Sequence, residues 1–561
     1  MTASAIPQKQ YAVQLVGPGE LKVNTEKEVF TPGPTQILAK VEAVGLCFSD
    51  LKLLKQFRDH ARKSEVISGM ASDILAGIPS YVPGDKPTVP GHEVVATIVA
   101  VGAEVKQHKV GERVLVQTDY RDLPTAASNS AFGYNFEGAL QEYVLMDERV
   151  VVSRDGERYL IPVEAHIGAS QAALVEPWAC VEDSYVTLER RTIKAGGRLL
   201  VVAEADRTIE GVYESFSPNG APGEIDVICA DEAQRAVLGA MNAPEVVARE
   251  FTDLPNENYD DIIFFGSNPQ VIETLSDKLT TRGIINIVLG GAKIGRPVNI
   301  GVGRVHYGMT RWIGTTGTNA HASYAVIPAT GEVRTGDKVV VIGAGGPMGQ
   351  MHVIRDVCSG LSGLEVVGTD MDDSRLASIE KKAAPMAAAN GVKLRMVNTK
   401  TNPLDEKFSY IAVMAPVGAL VAQAIKDSLP GALINIFAGI PAPVKHDLDL
   451  DTYIANRVFM FGTSGSTIRD MKIVLNKVTT GTLATDASVD AVSGMAGALE
   501  GLAAVENRTL AGKIIVYPML HEMGLIPLSQ LKNHYPTVAA KLVDDQWNAD
   551  AEQELLRVAV K

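Results

Sequence analysis

Only four cysteines occur in 561 residues (Cys47, Cys180, Cys229 and Cys358), and no two form a CxxC pair. So wide a scatter argues against a disulfide framework and against a four-cysteine zinc knuckle, and it fits a reducing cytoplasm. Long apolar runs are missing too. No stretch reaches the roughly 18 apolar residues of a membrane span, and the N-terminal MTASAIPQKQY has no apolar segment of the signal-peptide kind. Positive charge is scarce: 52 Lys and Arg stand against 66 Asp and Glu, a formal charge of −14. That balance argues against nucleic acid or an anionic membrane as a partner. What remains is a chain with ample apolar material, whose length predicts three or four domain-sized units.

One stretch organises the rest. Val339 to Ile342 has strand character and feeds a glycine cluster comprising Gly343, Gly345, Gly346, Pro347, Met348 and Gly349. Met351, Ile354 and Val357 then recur at helical spacing, and a second strand, 365–369, ends on Asp370. Strand, glycines, helix and terminal acid in register form the dinucleotide-binding βαβ pattern rather than an ordinary βα turn. Glycine lets the backbone approach a pyrophosphate, and the helix N-terminus supplies N–H donors. Asp370 would accept hydrogen bonds from both ribose hydroxyls, which favours NAD over NADP. The loop is one residue longer than a strict GxGxxG, so which glycine plays which part stays open.

Ahead of this lies a β-rich region. YAVQLV, LKVNTE and ILAKVEAVGL alternate apolar and polar residues between Gly and Pro punctuation, as do EVVATIVAVG and GALQEYVLM further on. Between them sit Cys47, His92, Glu93 and, later, Glu176. Thiolate, imidazole and carboxylate are the side chains zinc accepts, and three such ligands plus an open position make a catalytic site. Each also has a structural explanation: a small core cysteine, a satisfied histidine, a carboxylate at a helix N-terminus. The residues alone leave both open.

In this order, G-L-C-F-S-D, V-P-G-H-E, GERV, GALQEYV and E-P-W-A-C-V ahead of a Rossmann βαβ resemble the zinc-dependent medium-chain dehydrogenases. C-x-S-D and E-P-x-A-C-V resemble the polyol and threonine dehydrogenase branch. GPMG followed by TDMDDSRL resembles the sugar-phosphate reductases of the same superfamily. The resemblance covers residues 11–203 and 334–518. It implies a catalytic zinc on Cys47, His92 and Glu176, with Glu93 as an alternative or exchangeable ligand. It also implies that Ser49 passes the substrate proton outward and that Asp370 with Arg375 grips the adenosine ribose. Two departures stand out. Many relatives carry a second, structural zinc on four cysteines, but residues 117–135 contain none. And Cys47 and His92 are 45 positions apart, wider than usual, so part of that interval looks inserted. The insert holds Lys52, Lys55, Arg58, His60, Arg62 and Lys63, which suits either a solvated helix face over 51–63 or a lid or phosphate clamp.

The middle of the chain repeats itself. Ser184-Tyr185 and the strand after Lys194 match Ser323-Tyr324 and the strand after Arg334; RGIINIVLGG matches PGALINIFAG; WIGTTG matches the FGTSG segment. The offset is 139 residues at Ser184/Ser323 and 148 at Trp312/Met460, so the copies are collinear. Where the second copy has its glycines, the first has Glu204 and Asp206, which would repel a pyrophosphate. The first copy is therefore expected to be degenerate, binding no dinucleotide or some other small ligand.

The expected fold is α/β: a GroES-like β-rich catalytic domain plus two tandem Rossmann-like doubly wound sheets. The expected domains are 1–185 (zinc), 186–322 (degenerate Rossmann), 323–475 (NAD-binding), 476–520 (return to the first domain) and 521–561 (a tail of two helices). The WIGTTG and FMFGTSG strands are expected to join the copies edge to edge, giving a monomer with an internal pseudo-dimer, or else a homo-oligomer. The function implied is a cytoplasmic NAD- and zinc-dependent dehydrogenase acting on a small molecule, a sugar or polyol. A sugar-phosphate reductase and a non-catalytic dinucleotide sensor are the alternatives.

Overall fold

The computed structural model describes residues 6–229, 232–239 and 246–559. It divides into two compact units, Met1–Glu182 with Ser466–Lys561, and Asp183–Gly465.

In the first unit the strand Gln36–Gly45 is the hub. It pairs antiparallel with Glu93–Val101, Tyr143–Asp147 and Lys513–Val516, inside an eight-stranded sheet. Its residues Ile37, Val41, Ala43 and Val44 are fully buried, and each large apolar side chain so removed from water contributes about 1.5–3 kcal/mol. Register decides what meets at the sheet's end. Gly45 faces Glu93 on one side and Ile515 on the other. The chain leaving Gly45 therefore reaches Cys47 where the chain entering Glu93 passes through His92.

The helix after Cys47 spans Phe48–Gln56 and stops there. Phe57 takes a left-handed φ of 46° with its side chain buried, and two short 3-10 turns, Phe57–Asp59 and Ala61–Lys63, replace the single helix expected over 51–63. Neither Gly nor Pro announces that break. The tail also departs from two helices. It holds one eleven-residue helix, Ala549–Ala559, preceded by two single turns, Leu531–His534 and Pro536–Ala539.

The second unit contains two six-stranded parallel sheets. Counting along the chain only the strands of each sheet, both run 3-2-1-4-5-6. The first strands are Arg198–Ala203 and Lys338–Ile342, nearly continuous apolar runs, as parallel strands covered on both faces require. The copies diverge immediately afterwards. Lys338–Ile342 is followed by the helix Pro347–Val357, whereas Arg198–Ala203 is followed only by the 3-10 turn Tyr213–Ser215 before the next strand, Glu224–Cys229.

The expected joint between the copies is met in part: the end strands Arg311–Thr315 and Phe459–Phe461 lie against each other, with the Arg311 guanidinium donating to the Gly462 carbonyl at 3.1 Å, but without a shared ladder. Arg311–Thr315 pairs with Leu279–Val288, and Phe459–Phe461 with Ser428–Ile436; among the described residues no ladder links the two end strands. The joining ladder is instead a short antiparallel pair, Val298–Ile300 with His446–Leu448. Behind it one apolar core runs through both copies, from Leu200, Ile262 and Phe264 past Val298, Ile300 and Leu448 to Val340, Ile411 and Ile434. No helix among the described residues is long and apolar enough to cross a membrane.

Candidate metal and dinucleotide sites

The sheet register brings Cys47, His92 and Glu93 together, with one donor atom of each within 4.8 Å of the others. Cys47 is the N-cap of Phe48–Gln56, and three residues into that helix Asp50 turns back. Asp50 Oδ2 accepts the Cys47 N–H at 3.1 Å; Oδ1 accepts the Gly91 N–H at 3.2 Å and lies 3.1 Å from His92 Nδ1. A carboxylate on Nδ1 fixes the imidazole so that Nε2 is left for a metal. Burial works against a charged His92, but Asp50, Tyr134 and Cys47 outweigh it and hold its pKa well above the usual value.

Glu93 is wholly buried. Its Oε1 pairs with Lys513 Nζ at 2.6 Å, and the same ammonium donates to the Leu46 carbonyl at 2.8 Å. Its Oε2 has no hydrogen-bond partner. A Cβ on Gly45 would lie 2.1 Å from that oxygen, so only glycine leaves room for the carboxylate there. An orphaned carboxylate oxygen beside a thiol and an oriented imidazole is a donor set that fits zinc.

Glu176 does not join that cluster of donors, although it is buried and close enough to feel His92, Glu93, Lys513 and Arg62. Burial, and the neighbouring Glu93 charge, push its carboxyl up to about 7. Ser49 sits half-buried on the first turn of Phe48–Gln56. Two residues that sequence reasoning passed over belong to the site. Asp50 had a signal, an acid three positions into a helix capped by Cys47. Tyr134, buried with its ring 5.8 Å from that of His92, had none.

In the second copy the glycines take distinct parts. Gly343 has φ 89°, and its N–H and that of Ala344 donate to the Thr369 carbonyl, each at 2.8 Å. The Gly345 N–H donates to Asp370 Oδ2 at 3.0 Å, and a Cβ there would lie 2.7 Å from both that oxygen and Arg375 Cβ. Gly346 is the helix N-cap, Pro347 the first helical residue, and half-buried Met348 follows. A Cβ on Gly349 would sit 2.1 Å from the Gly343 carbonyl oxygen, so the helix packs directly on the turn. This side-chain-free glycine turn ahead of an eleven-residue helix, with an acid at the neighbouring strand end, fits a dinucleotide. Asp372 caps the next helix, Asp373–Ala389, and Arg375 lies on its first turn.

The first copy fills the equivalent place with its own side chains. Glu204 Oε1 accepts the N–H groups of Ser267 and Asn268 at 3.1 and 2.9 Å, and Gln234 Nε2 donates to the carbonyls of Glu204 and Arg207. A Cβ on Gly266 would lie 2.5 Å from the Glu204 carboxyl carbon.

Residues 33–155 match the family model of the alcohol dehydrogenase GroES-like domain. That match, together with Rossmann-order parallel sheets elsewhere in the chain, is similar to the domain make-up of the medium-chain dehydrogenases. Among particular relatives, the uncharacterized protein YggP of Escherichia coli K12 is 28% identical over 44% of this chain and 62% of its own length. L-sorbose 1-phosphate reductase of Klebsiella pneumoniae is 24% identical over 56% of this chain and 77% of its own. Mannitol-1-phosphate 5-dehydrogenase of Aliivibrio fischeri is 27% identical over 41% and 60%. The matched stretch thus spans less than two thirds of the first and third of these relatives.

Proposed function

We propose that the protein is a zinc-assisted, NAD-dependent oxidoreductase that moves hydride between NAD(H) and a secondary alcohol or ketone of a sugar or polyol. The observation that carries it is the Cys47–His92–Glu93 cluster, with one carboxylate oxygen unpaired and the imidazole oriented by Asp50. Cys47, His92 and one of the two carboxylates, Glu93 or Glu176, would hold the zinc. Zinc supplies a Lewis acid that lowers the pKa of an alcohol hydroxyl, and NAD supplies the hydride acceptor. The chain does the rest. Ser49 takes the alcohol proton outward. Asp50 keeps the His92 ring in place, and Lys513 anchors Glu93. Asp370 and Arg375 meet the adenosine ribose, and the glycine turn meets the pyrophosphate. The first Rossmann copy, closed by Glu204, binds no dinucleotide.

The names of the Klebsiella and Aliivibrio relatives support a sugar or polyol substrate, and they favour its phosphorylated form as the alternative. The test is the metal content of protein purified without chelator, followed by a sugar and polyol panel with NAD and NADP. One zinc per chain, lost in Cys47→Ser, with NAD-linked turnover is the expected result. Metal-free protein that still binds NADH would overturn the zinc-assisted mechanism. NADH binding without turnover of any panel member would favour a sensor.

A further inference from the structure

The basic insert between Cys47 and His92 supplies six candidate groups, and the structure commits most of them elsewhere. Lys55 pairs with Glu506 at 2.8 Å, and Arg58 lies 3.6 Å from both Asp59 and Asp85. Lys63 is fully buried, donating to the carbonyls of Val82 and Lys86. His60 accepts the Arg62 N–H on Nδ1, and burial, with Arg62 and Lys52 nearby, brings its pKa down to about 4, so it is neutral at pH 7. Lys52 is solvent-exposed on the helix Phe48–Gln56.

Arg62 is different. Its half-buried guanidinium lies over the Tyr134 ring, 5.7 Å from the centroid, and no carboxylate among the described residues is within ion-pair distance of it. The same Tyr134 ring is 5.8 Å from the ring of His92, a member of the Cys47–His92–Glu93 cluster. Guanidinium and imidazole are therefore no further apart than those two steps laid end to end, within the span of a short phosphorylated carbon chain. The Arg62 charge also reaches Glu176.

The backbone around Arg62 is fixed. The Ala61 carbonyl accepts the Ser64 and Thr125 hydroxyls at 2.7 and 2.9 Å, and Asn135, next to Tyr134, donates to the Ser64 carbonyl at 3.0 Å. A guanidinium offers five donors in a planar fork that matches phosphate oxygens bidentately. Held on an aromatic face, it binds with little further loss of freedom.

We propose that Arg62, seated on Tyr134, is the receptor for the phosphate of a phosphorylated sugar alcohol or ketose whose reacting carbon lies at the Cys47–His92–Glu93 cluster. This rests on the oxidoreductase function proposed above. Hexitol 1- and 6-phosphates with NAD, and ketohexose 1- and 6-phosphates with NADH, are compared with their unphosphorylated counterparts, in wild type, Arg62→Ala and Arg62→Lys. The wild type should prefer a phosphorylated member in kcat/KM, and Arg62→Ala should reduce that preference by about tenfold or more, chiefly through KM, with Arg62→Lys in between. A preference unchanged in Arg62→Ala, or a wild type that prefers the unphosphorylated form, overturns the assignment.

Calorimetric titration of inorganic phosphate and of sorbitol 6-phosphate into the full-length zinc-loaded proteins separates the two ideas. If no panel member turns over, the oxidoreductase function fails; binding by wild type that is lost in Arg62→Ala then still supports the anion site. Equal binding to both proteins, or none to either, removes it.

Discussion

Replacing Asp50 with asparagine tests the donor cluster without changing the volume of a side chain. In the wild type one carboxylate serves three groups: Oδ2 takes the Cys47 N–H, while Oδ1 takes the Gly91 N–H and faces His92 Nδ1. Asparagine keeps one acceptor oxygen. If that oxygen stays toward Gly91 and His92, its NH2 group meets the Cys47 N–H, donor against donor, at the N-cap of Phe48–Gln56. A flip saves Cys47 and instead turns donors on Gly91 and the imidazole. Asp50 is only 3% exposed, so water offers no substitute, and the lost contact should destabilise the metal-free protein by about 1–3 kcal/mol. The larger consequence is for zinc. A histidine ligand deprived of its carboxylate partner binds metal about 10- to 100-fold more weakly. Chelator competition gives the zinc affinity of wild type and Asp50→Asn directly, and urea unfolding of the metal-free proteins gives the stability term. Zinc affinity within twofold of wild type would refute the orienting role assigned to Asp50.

Three further outcomes are expected. Gly349→Ala places a Cβ against the Gly343 carbonyl 2.1 Å away, so NADH fluorescence titration should show cofactor binding reduced or lost; full affinity would mean the turn does not carry the pyrophosphate. Lys513→Met strands a fully buried Glu93 carboxylate and should cost about 3–5 kcal/mol in urea unfolding of metal-free protein, with part recovered in the Glu93→Gln/Lys513→Met double variant. Asp486 is buried with Oδ2 unpartnered, and burial, opposed by Gln171 and reinforced by Glu552, lifts its carboxyl from its ordinary value to about 7. Its folded-state pKa lies above the unfolded one, so it favours the folded state fully below about pH 4, and that contribution is lost as pH rises towards 7. Asp486→Asn should therefore gain stability relative to wild type at pH 8 compared with pH 5, and a difference independent of pH would count against the perturbed titration.

The parts of this protein that sequence patterns reveal are those with local signatures. The strand–glycine–helix–acid order around Gly343 and Asp370 is contiguous, and so is the repeat that pairs Ser184 with Ser323. Cys47 and His92 were recognisable as candidates because each adjoins a strand end, but their meeting depends on the pairing of Gly45 with Glu93. That register also brings Glu93, rather than Glu176, into the cluster of donors. Tyr134 could not be found: it comes to His92 only through the chain folding after Asn129–Ala131. The ladder joining the Rossmann copies consists of two three-residue strands, too short to carry a period-2 pattern. The helix break at Phe57 is a tertiary decision. Burying the phenylalanine ring compensates for a left-handed backbone that its sequence does not advertise.

The ladder between Val298–Ile300 and His446–Leu448 has a thermodynamic consequence. Between separate chains, so short a pairing would be governed by mass action and would come apart on dilution. Here both strands belong to one polypeptide, and the effective concentration of each for the other is set by the covalent linkage. The pairing of the two sheets is thus a folding equilibrium, the same at nanomolar protein as at millimolar. The halves are also free to differ, since a substitution in one is not copied into the other. Glu204 in one half and Gly343 in the other record that freedom.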